Sequence, residues 1–90
     1  MYKIQPYSYN QAEKLGVKIS PSDNPKYKIK VFYKDKIIYI GDSYYNDFPN
    51  YVLSHGLEYA NKRRLLYKKR HEKDRHIVGT KGFFADKILW

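Results

Sequence analysis

Within residues 26–33 apolar side chains recur with a period of two, and lysines occupy three of the four alternate positions. The apolar positions are Tyr27, Ile29, Val31 and Tyr33, and the basic positions are Lys26, Lys28 and Lys30. Because successive side chains of a strand point to opposite faces, this pattern is typical of a half-buried β-strand. A second strand, 37–40, follows the tight connection 34–36, so a β-hairpin is predicted that ends at Gly41 and Asp42.

The chain length limits what can surround this hairpin. Ninety residues make one domain, 1–90, and a chain this short hides only about two thirds of its unfolded surface, so the core must be small. The absence of cysteine excludes disulfides and thiolate metal sites. No apolar run is long enough for a signal peptide or a membrane span, so we expect an intracellular protein without membrane contact.

Shorter elements flank the hairpin. Residues 9–15 predict a short helix with Asn10 as the N-cap and Gly16 as the stop, and 17–19 are expected to be extended. The prolines of 20–25 predict a turn. Residues 43–56 contain the breakers Pro49 and Gly56 and are expected to form an ordered loop. The aromatic residues expected to hold that loop are Tyr44, Tyr45, Phe48 and Tyr51.

Two helices are predicted after this loop. The longer one runs from Leu57 to about Lys73, with a narrow apolar side containing Tyr59 and Leu66 and a broad basic face. A short final helix is expected to begin after the N-cap Thr80. Its apolar residues, Phe83, Phe84, Ile88 and Trp90, are spaced so that the helix can cover the core. The predicted fold is therefore α+β, with a β-hairpin or small antiparallel sheet packed against one long basic helix and a short C-terminal helix.

The stretch 62–76 carries most of the charge. Its eight Lys or Arg residues less two acids give +6, in a chain whose total is +9. Such a density is unfavourable unless a polyanion or counterions lie against it, which points to phosphate as the ligand. The candidate nucleic-acid-binding residues are Lys62, Arg63, Arg64, Lys68, Lys69, Arg70, His71, Lys73, Arg75 and the second basic row Lys26, Lys28 and Lys30.

Each of these features also has a purely structural interpretation. The basic helix could serve only solubility, and strand lysines often protect a sheet edge from pairing with another chain. Tyr44, Tyr45 and Tyr51 could stack on unpaired bases, but packing in the protein is the interpretation we favour.

Catalytic patterns are weak by comparison. His71 and His76 are five residues apart, which is not the i, i+4 spacing of helical metal ligands, so no metal site is predicted. The aspartates are scattered among turn residues, so a metal-dependent nuclease is an alternative with only a weak signal. No phosphate loop or nucleophile elbow occurs, so neither a cofactor nor an enzyme activity is expected.

Several motifs, densest from Tyr45 to Trp90, resemble an uncharacterised family of small basic proteins from large DNA viruses and tailed phages. They are Ala12-Glu13-Lys14-Leu15-Gly16-Val17, Pro21-Ser22, Ile40-Gly41, Tyr45-x-Asp47-Phe48-Pro49-x-Tyr51, Gly56-Leu57-Glu58-Tyr59-Ala60-Asn61, Arg63-Arg64-x-x-Tyr67-x-x-Arg70-His71-x-x-Asp74-Arg75 and Gly79-Thr80-x-Gly82-Phe83-Phe84-Ala85-Asp86-x-Ile88-Leu89-Trp90. The hairpin turn departs from the family, which often has Asp-Gly where this chain has Asp35-Lys36. The resemblance implies a viral or phage origin, and it implies no activity or catalytic residue.

The sequence thus predicts a viral protein that binds nucleic acid through phosphates, with little sequence preference and with DNA favoured over RNA. It would reside in the virion or in the cytoplasm of the infected cell. One alternative is a structural component of the virion that contacts acidic protein surfaces. Another is a phage inhibitor of a host defence nucleoprotein. The oligomeric state is not predicted.

Overall fold

The computed structural model describes residues 2–90. Its elements in chain order are α1 (Pro6–Leu15), β1 (Lys18–Pro21), β2 (Tyr27–Tyr33), β3 (Lys36–Asp42), α2 (Phe48–His55), α3 (Leu57–Arg70) and α4 (Lys81–Leu89). The three strands form one antiparallel sheet in the order β1-β2-β3. The predicted α+β class, with a small antiparallel sheet packed against helices, is confirmed.

The predicted hairpin is formed by β2 and β3. Tyr33 pairs with Lys36, so the connection consists of two residues, Lys34 and Asp35. Lys34 adopts the left-handed conformation with φ 54°, which a turn this tight requires of its first residue. The extended stretch predicted after Gly16 becomes β1, which pairs with the other edge of β2.

The core lies between the sheet and the C-terminal helix. Ile29, Val31 and Ile40 are fully buried and contact the buried face of α4, which carries Phe84, Ile88 and Leu89. On its other side α4 packs against α1, where the Ser8 hydroxyl donates to the carbonyl of Ile88 at 2.8 Å. The predicted cap is confirmed, because the Thr80 hydroxyl accepts from the Phe83 amide. Phe84 is buried as its position indicated, whereas Trp90 is half-buried.

Two of the N-terminal and central predictions are wrong. The first helix begins at Pro6, well before Asn10, because proline is favoured in the first turn of a helix. The segment 43–56 is not a loop throughout, since its second half is α2. Asp47 caps that helix by accepting from the Asn50 amide at 3.0 Å, and Pro49 lies in the first turn, where its missing N–H costs no hydrogen bond.

The long helix also differs from its prediction. It ends at Arg70, and His71 begins a turn in which the His71 carbonyl accepts from the amides of Asp74 and Arg75. Only Ala60 of α3 is fully buried, and Tyr59 and Leu66 are exposed. The helix packs along α2 through this small residue, which leaves most of its circumference accessible. No helix within residues 2–90 is long and apolar enough to cross a membrane.

Candidate nucleic-acid interface

The three strand lysines have different environments. Lys26 is exposed and Lys30 is half-buried, with its ammonium 5.8 Å from the centre of the Phe32 ring. Lys28 is buried, and its ammonium lies 2.9 Å from the carboxylate of Asp47. The predicted second basic row is therefore wrong at Lys28, which is a structural cation of the interior.

Asp47 joins three parts of the chain. One of its carboxylate oxygens accepts from Lys28 of β2 and, at 2.6 Å, from the hydroxyl of Tyr2, while the other caps α2 through Asn50. Burial and the adjacent Asp47 carboxylate raise the pKa of Tyr2, so its hydroxyl remains a donor to that carboxylate. Each charged or polar group of this cluster has a partner, as a stable buried network requires.

A second buried acid lies beside two of the residues predicted to contact nucleic acid. Asp86 of α4 is fully buried, and the ammonium of Lys68 donates to its carboxylate at 2.7 Å. The guanidinium of Arg75 lies 3.7 Å from the other carboxylate oxygen and also donates to Glu72 at 2.8 Å. Hydrogen bonds from His76 and Arg75 hold the pKa of Glu72 below its usual value. Lys68 and Arg75 thus attach α3 and the following turn to α4.

Arg64 has an aromatic environment. Its guanidinium lies 3.5 Å from the centre of the Phe48 ring, and one of its nitrogens donates to the Tyr7 hydroxyl at 3.4 Å. Its Nε is buried without a hydrogen-bond partner within residues 2–90. A guanidinium stacked on a ring in this way holds α3 against α2, so Arg64 is a packing residue as well as a cation.

Five of the predicted cations have no acid partner among the described residues. They are Lys62, Arg63, Lys69, Arg70 and Lys73. Four of them are exposed, whereas Arg63 is half-buried with its guanidinium 5.5 Å from the centre of the Tyr51 ring. These five residues, called the free cations below, lie on α3 and the turn after it. His71, the remaining candidate, is half-buried beside Asp74 at 3.5 Å.

A groove of about 740 Å³ opens beside this part of α3. Its lining comes from α3 and the turn after it, from α4 and Trp90, from Tyr51 of α2, and from β2, β3 and the segment that follows β3. Two free cations, Arg63 and Arg70, line it together with Lys81 of α4. The Lys81 ammonium donates to the Tyr27 hydroxyl at 2.8 Å and lies 4.3 Å from the centre of the Tyr27 ring. Lys81 is not among the residues predicted from the sequence, because nothing near it in the chain shows that α4 brings it to the groove.

Aromatic rings make up much of the groove. Tyr67 stacks on Trp90 with ring centres 4.4 Å apart and on His71 at 4.3 Å, and Tyr51 lies 6.1 Å from Trp90. Burial, with Asp86 and Asp74 nearby, raises the pKa of Tyr67 to about 12, so its hydroxyl is uncharged at neutral pH. This assembly joins residues from α2, α3 and the C-terminus, which no local sequence pattern reveals.

Two adjacent tyrosines before α2 do not pack as predicted. Tyr44 is 88% exposed and Tyr45 is 72% exposed. Their backbone is fixed nevertheless, because the Asp42 side chain accepts from the Tyr44 amide and the Asp42 carbonyl accepts from the Tyr45 amide. Of the two rings, only that of Tyr45 lines the groove.

No group of three or more His, Asp or Glu side chains within residues 2–90 is placed to hold a metal ion. Comparison of the chain with protein-family models, with curated proteins and with solved structures found no match.

Proposed function

We propose that this protein binds nucleic acid through its phosphates, with little sequence preference, and that the free cations of α3 are the main contacts. The observation that supports this most strongly is that some basic side chains are paired with acids and others are not. The two buried acids are already neutralised by Lys28 and by Lys68, while Lys62, Arg63, Lys69, Arg70 and Lys73 have no acid partner within residues 2–90. Closely spaced cations of this kind favour a polyanionic ligand.

The helical positions of these cations support the same conclusion. Lys62 and Lys69, like Arg63 and Arg70, are seven residues apart, which is about two turns or 10 Å along α3. Each pair therefore lies on nearly one side of the helix, and Lys73 is in the turn that follows α3. Phosphate contacts position a protein without reading bases, so mixed sequences should bind with similar affinity.

Salt dependence tests this proposal directly. Fluorescence anisotropy with a labelled mixed-sequence DNA duplex should show log affinity falling with log salt at a slope of about 4 to 5, the value for five phosphates at about 0.9 each. The triple change of Lys62, Lys69 and Lys73 to alanine should lower that slope to about 2. A matched control replaces Lys14, Lys18 and Lys36, which are exposed on α1, β1 and β3.

Both triple variants lower the net charge from +9 to +6, since each removes three lysines. The proposal expects the α3 variant to lose at least about tenfold in affinity and the control to lose much less. Equal losses would mean that only net charge matters, and no binding of the native protein at low salt would exclude the proposed function.

A second candidate function is an assembly component that contacts other proteins. Large apolar side chains are exposed on α2, on α3 and in the segment before α4, namely Leu53, Leu57, Leu65, Leu66, Ile77 and Val78. Exposed apolar side chains mark a protein–protein contact site where they form a contiguous patch. In the viral setting that the resemblance implies, both candidates fit a protein of the virion or of the infected cytoplasm. Sedimentation of the free protein over a range of concentrations tests self-association, and loss of association on Leu53→Ser with Leu66→Ser would support this candidate.

A further inference from the structure

The ring of Tyr45 is an accessible stacking surface at the edge of the groove. It is largely exposed, and none of the ring pairs within residues 2–90 includes it. The turn at Asp42 and the hydrogen bond from the Ser43 hydroxyl to the carbonyl of Pro25 at 2.7 Å fix the backbone before it. Because this backbone is already ordered, stacking of the ring on a ligand costs no further backbone entropy.

Cations line the same groove as this ring. Arg63 and Arg70 have no acid partner, and Lys81 contributes a third positive charge. Besides Asp47, the acids Asp42 and Asp74 line the groove. The charge of Lys28 is offset by Asp47, so three cations face two acids and the local charge remains positive.

We infer that this groove binds an unpaired nucleotide of a single-stranded nucleic acid, with its base stacked on Tyr45 and its phosphates against Arg63 and Arg70. This inference rests on the proposed function and adds a preference for single strands over duplex. The chemistry required is a flat aromatic group joined to an anionic backbone, which unpaired nucleotides provide.

The size and composition of the groove favour this ligand over a paired one. A volume of about 740 Å³ is within the range of sites that enclose a small molecule of nucleotide size. In a duplex the base faces are covered by their neighbours, so the ring of Tyr45 could not stack on a base within it. Because every base has a face that can stack, a site of this kind also agrees with weak sequence preference.

The test measures binding of three labelled ligands of equal length by anisotropy at one salt concentration. They are oligo(dT), an abasic strand that keeps the sugar–phosphate backbone but lacks bases, and a mixed-sequence duplex. The protein variants are Tyr45→Ala and, as the control, Tyr44→Ala, since Tyr44 is also largely exposed but does not line the groove. Circular dichroism checks that both variants are folded.

We expect oligo(dT) to bind at least about tenfold more tightly than the abasic strand, the scale of one stacked base, and also more tightly than the duplex. Tyr45→Ala should remove most of that difference, and Tyr44→Ala should leave it within about twofold. Trp90 is the only tryptophan and lines the groove, so its fluorescence should change on adding oligo(dT) and much less on adding the abasic strand.

The other outcomes separate this inference from the proposed function. Equal affinities for all three ligands, unaffected by Tyr45→Ala, would overturn the unpaired-base site and leave phosphate binding in place. If no ligand binds, both proposals are wrong. Unlabelled thymidine monophosphate is added as a competitor. If it binds as tightly as oligo(dT), the ligand is a free nucleotide and the single-strand assignment is overturned.

Discussion

The ammonium of Lys28 lies 2.9 Å from the carboxylate of Asp47, and both side chains are almost completely buried. The pair connects the middle strand of the sheet to the N-terminus of α2, so it fixes where the segment containing Tyr45 leaves β3. A basic residue predicted to bind a ligand therefore helps to build the groove instead.

Replacing Lys28 with alanine should destabilise the protein by about 3 to 5 kcal/mol, because it leaves the Asp47 carboxylate buried without its cation. Lys26→Ala, an exposed change on the same strand, should alter stability by less than about 0.5 kcal/mol. Urea unfolding followed by circular dichroism measures both. Lys28→Met leaves the same buried carboxylate, and adding Asp47→Asn to it should restore part of the lost stability. If the free-energy changes of the two single variants simply add in the double variant, the pair is not coupled.

Arg64→Ala should destabilise the protein by about 1 to 3 kcal/mol, since it removes the guanidinium stacked on Phe48 and the side-chain stem that packs with it. Lys62→Ala, on the same helix but exposed, should have little effect. Thermal unfolding of the two variants compares them. Equal midpoints would indicate that the contact of Arg64 with Phe48 contributes nothing to the fold.

Two glycines allow a clean comparison of backbone strain and steric overlap. Gly16 and Gly41 have φ of 73° and 79°, but a Cβ would meet nothing within 4 Å at Gly16, whereas at Gly41 it would lie 2.6 Å from a methyl carbon of Leu89. Gly16→Ala should cost about 1 to 2 kcal/mol from the left-handed conformation alone. Gly41→Ala should cost a further 1 to 3 kcal/mol, as overpacking does. Denaturant unfolding gives both values, and a smaller cost at Gly41 would contradict the packing of α4 on β3.

The raised pKa of Tyr67 predicts a loss of stability in alkali. Its pKa is about 12 in the folded protein and 10.0 in the unfolded chain, so folding favours the uncharged hydroxyl. That contribution is complete below pH 10 and disappears as the pH rises from 10 through 12. Tyr67→Phe cannot ionise and should lose less stability across this interval than the native protein. Urea unfolding on either side of the interval, with Tyr44→Phe as the exposed control, tests this, and parallel losses in all three proteins would refute it.

The sequence allowed much of the secondary structure to be predicted. The alternation at 26–33 identified β2, and the spacing of Phe84 and Ile88 after the cap Thr80 identified α4. The errors occurred at α1, which begins with proline, and at α2, whose proline and flanking glycine resemble loop residues. In each case a residue that breaks a helix interior is tolerated in the first turn or at the end, so local composition gave the wrong boundary.

The candidate site was less predictable, because the basic residues available to a ligand and those engaged within the protein are of the same type. They differ only in which side chains lie beside them in the folded protein. Arg64, Lys68 and Arg75 are indistinguishable in sequence from Arg63, Lys69 and Lys73. Which of these cations packs on Phe48 or pairs with Asp86 depends on residues far along the chain. Exposure of Tyr45 beside the groove likewise follows from the placement of α2 and α4.

The sequence alone determined that a strong positive charge lies at the surface, because so many like charges cannot be buried together, and that an apolar hairpin and a C-terminal helix supply the core. Only the tertiary structure decided which cations are neutralised and which remain available to a ligand. The physical reason is that pairing requires an acid within a few ångströms. The acids that neutralise Lys28 and Lys68 are 19 and 18 residues away in sequence, and the folding of α2 and α4 brings them into contact.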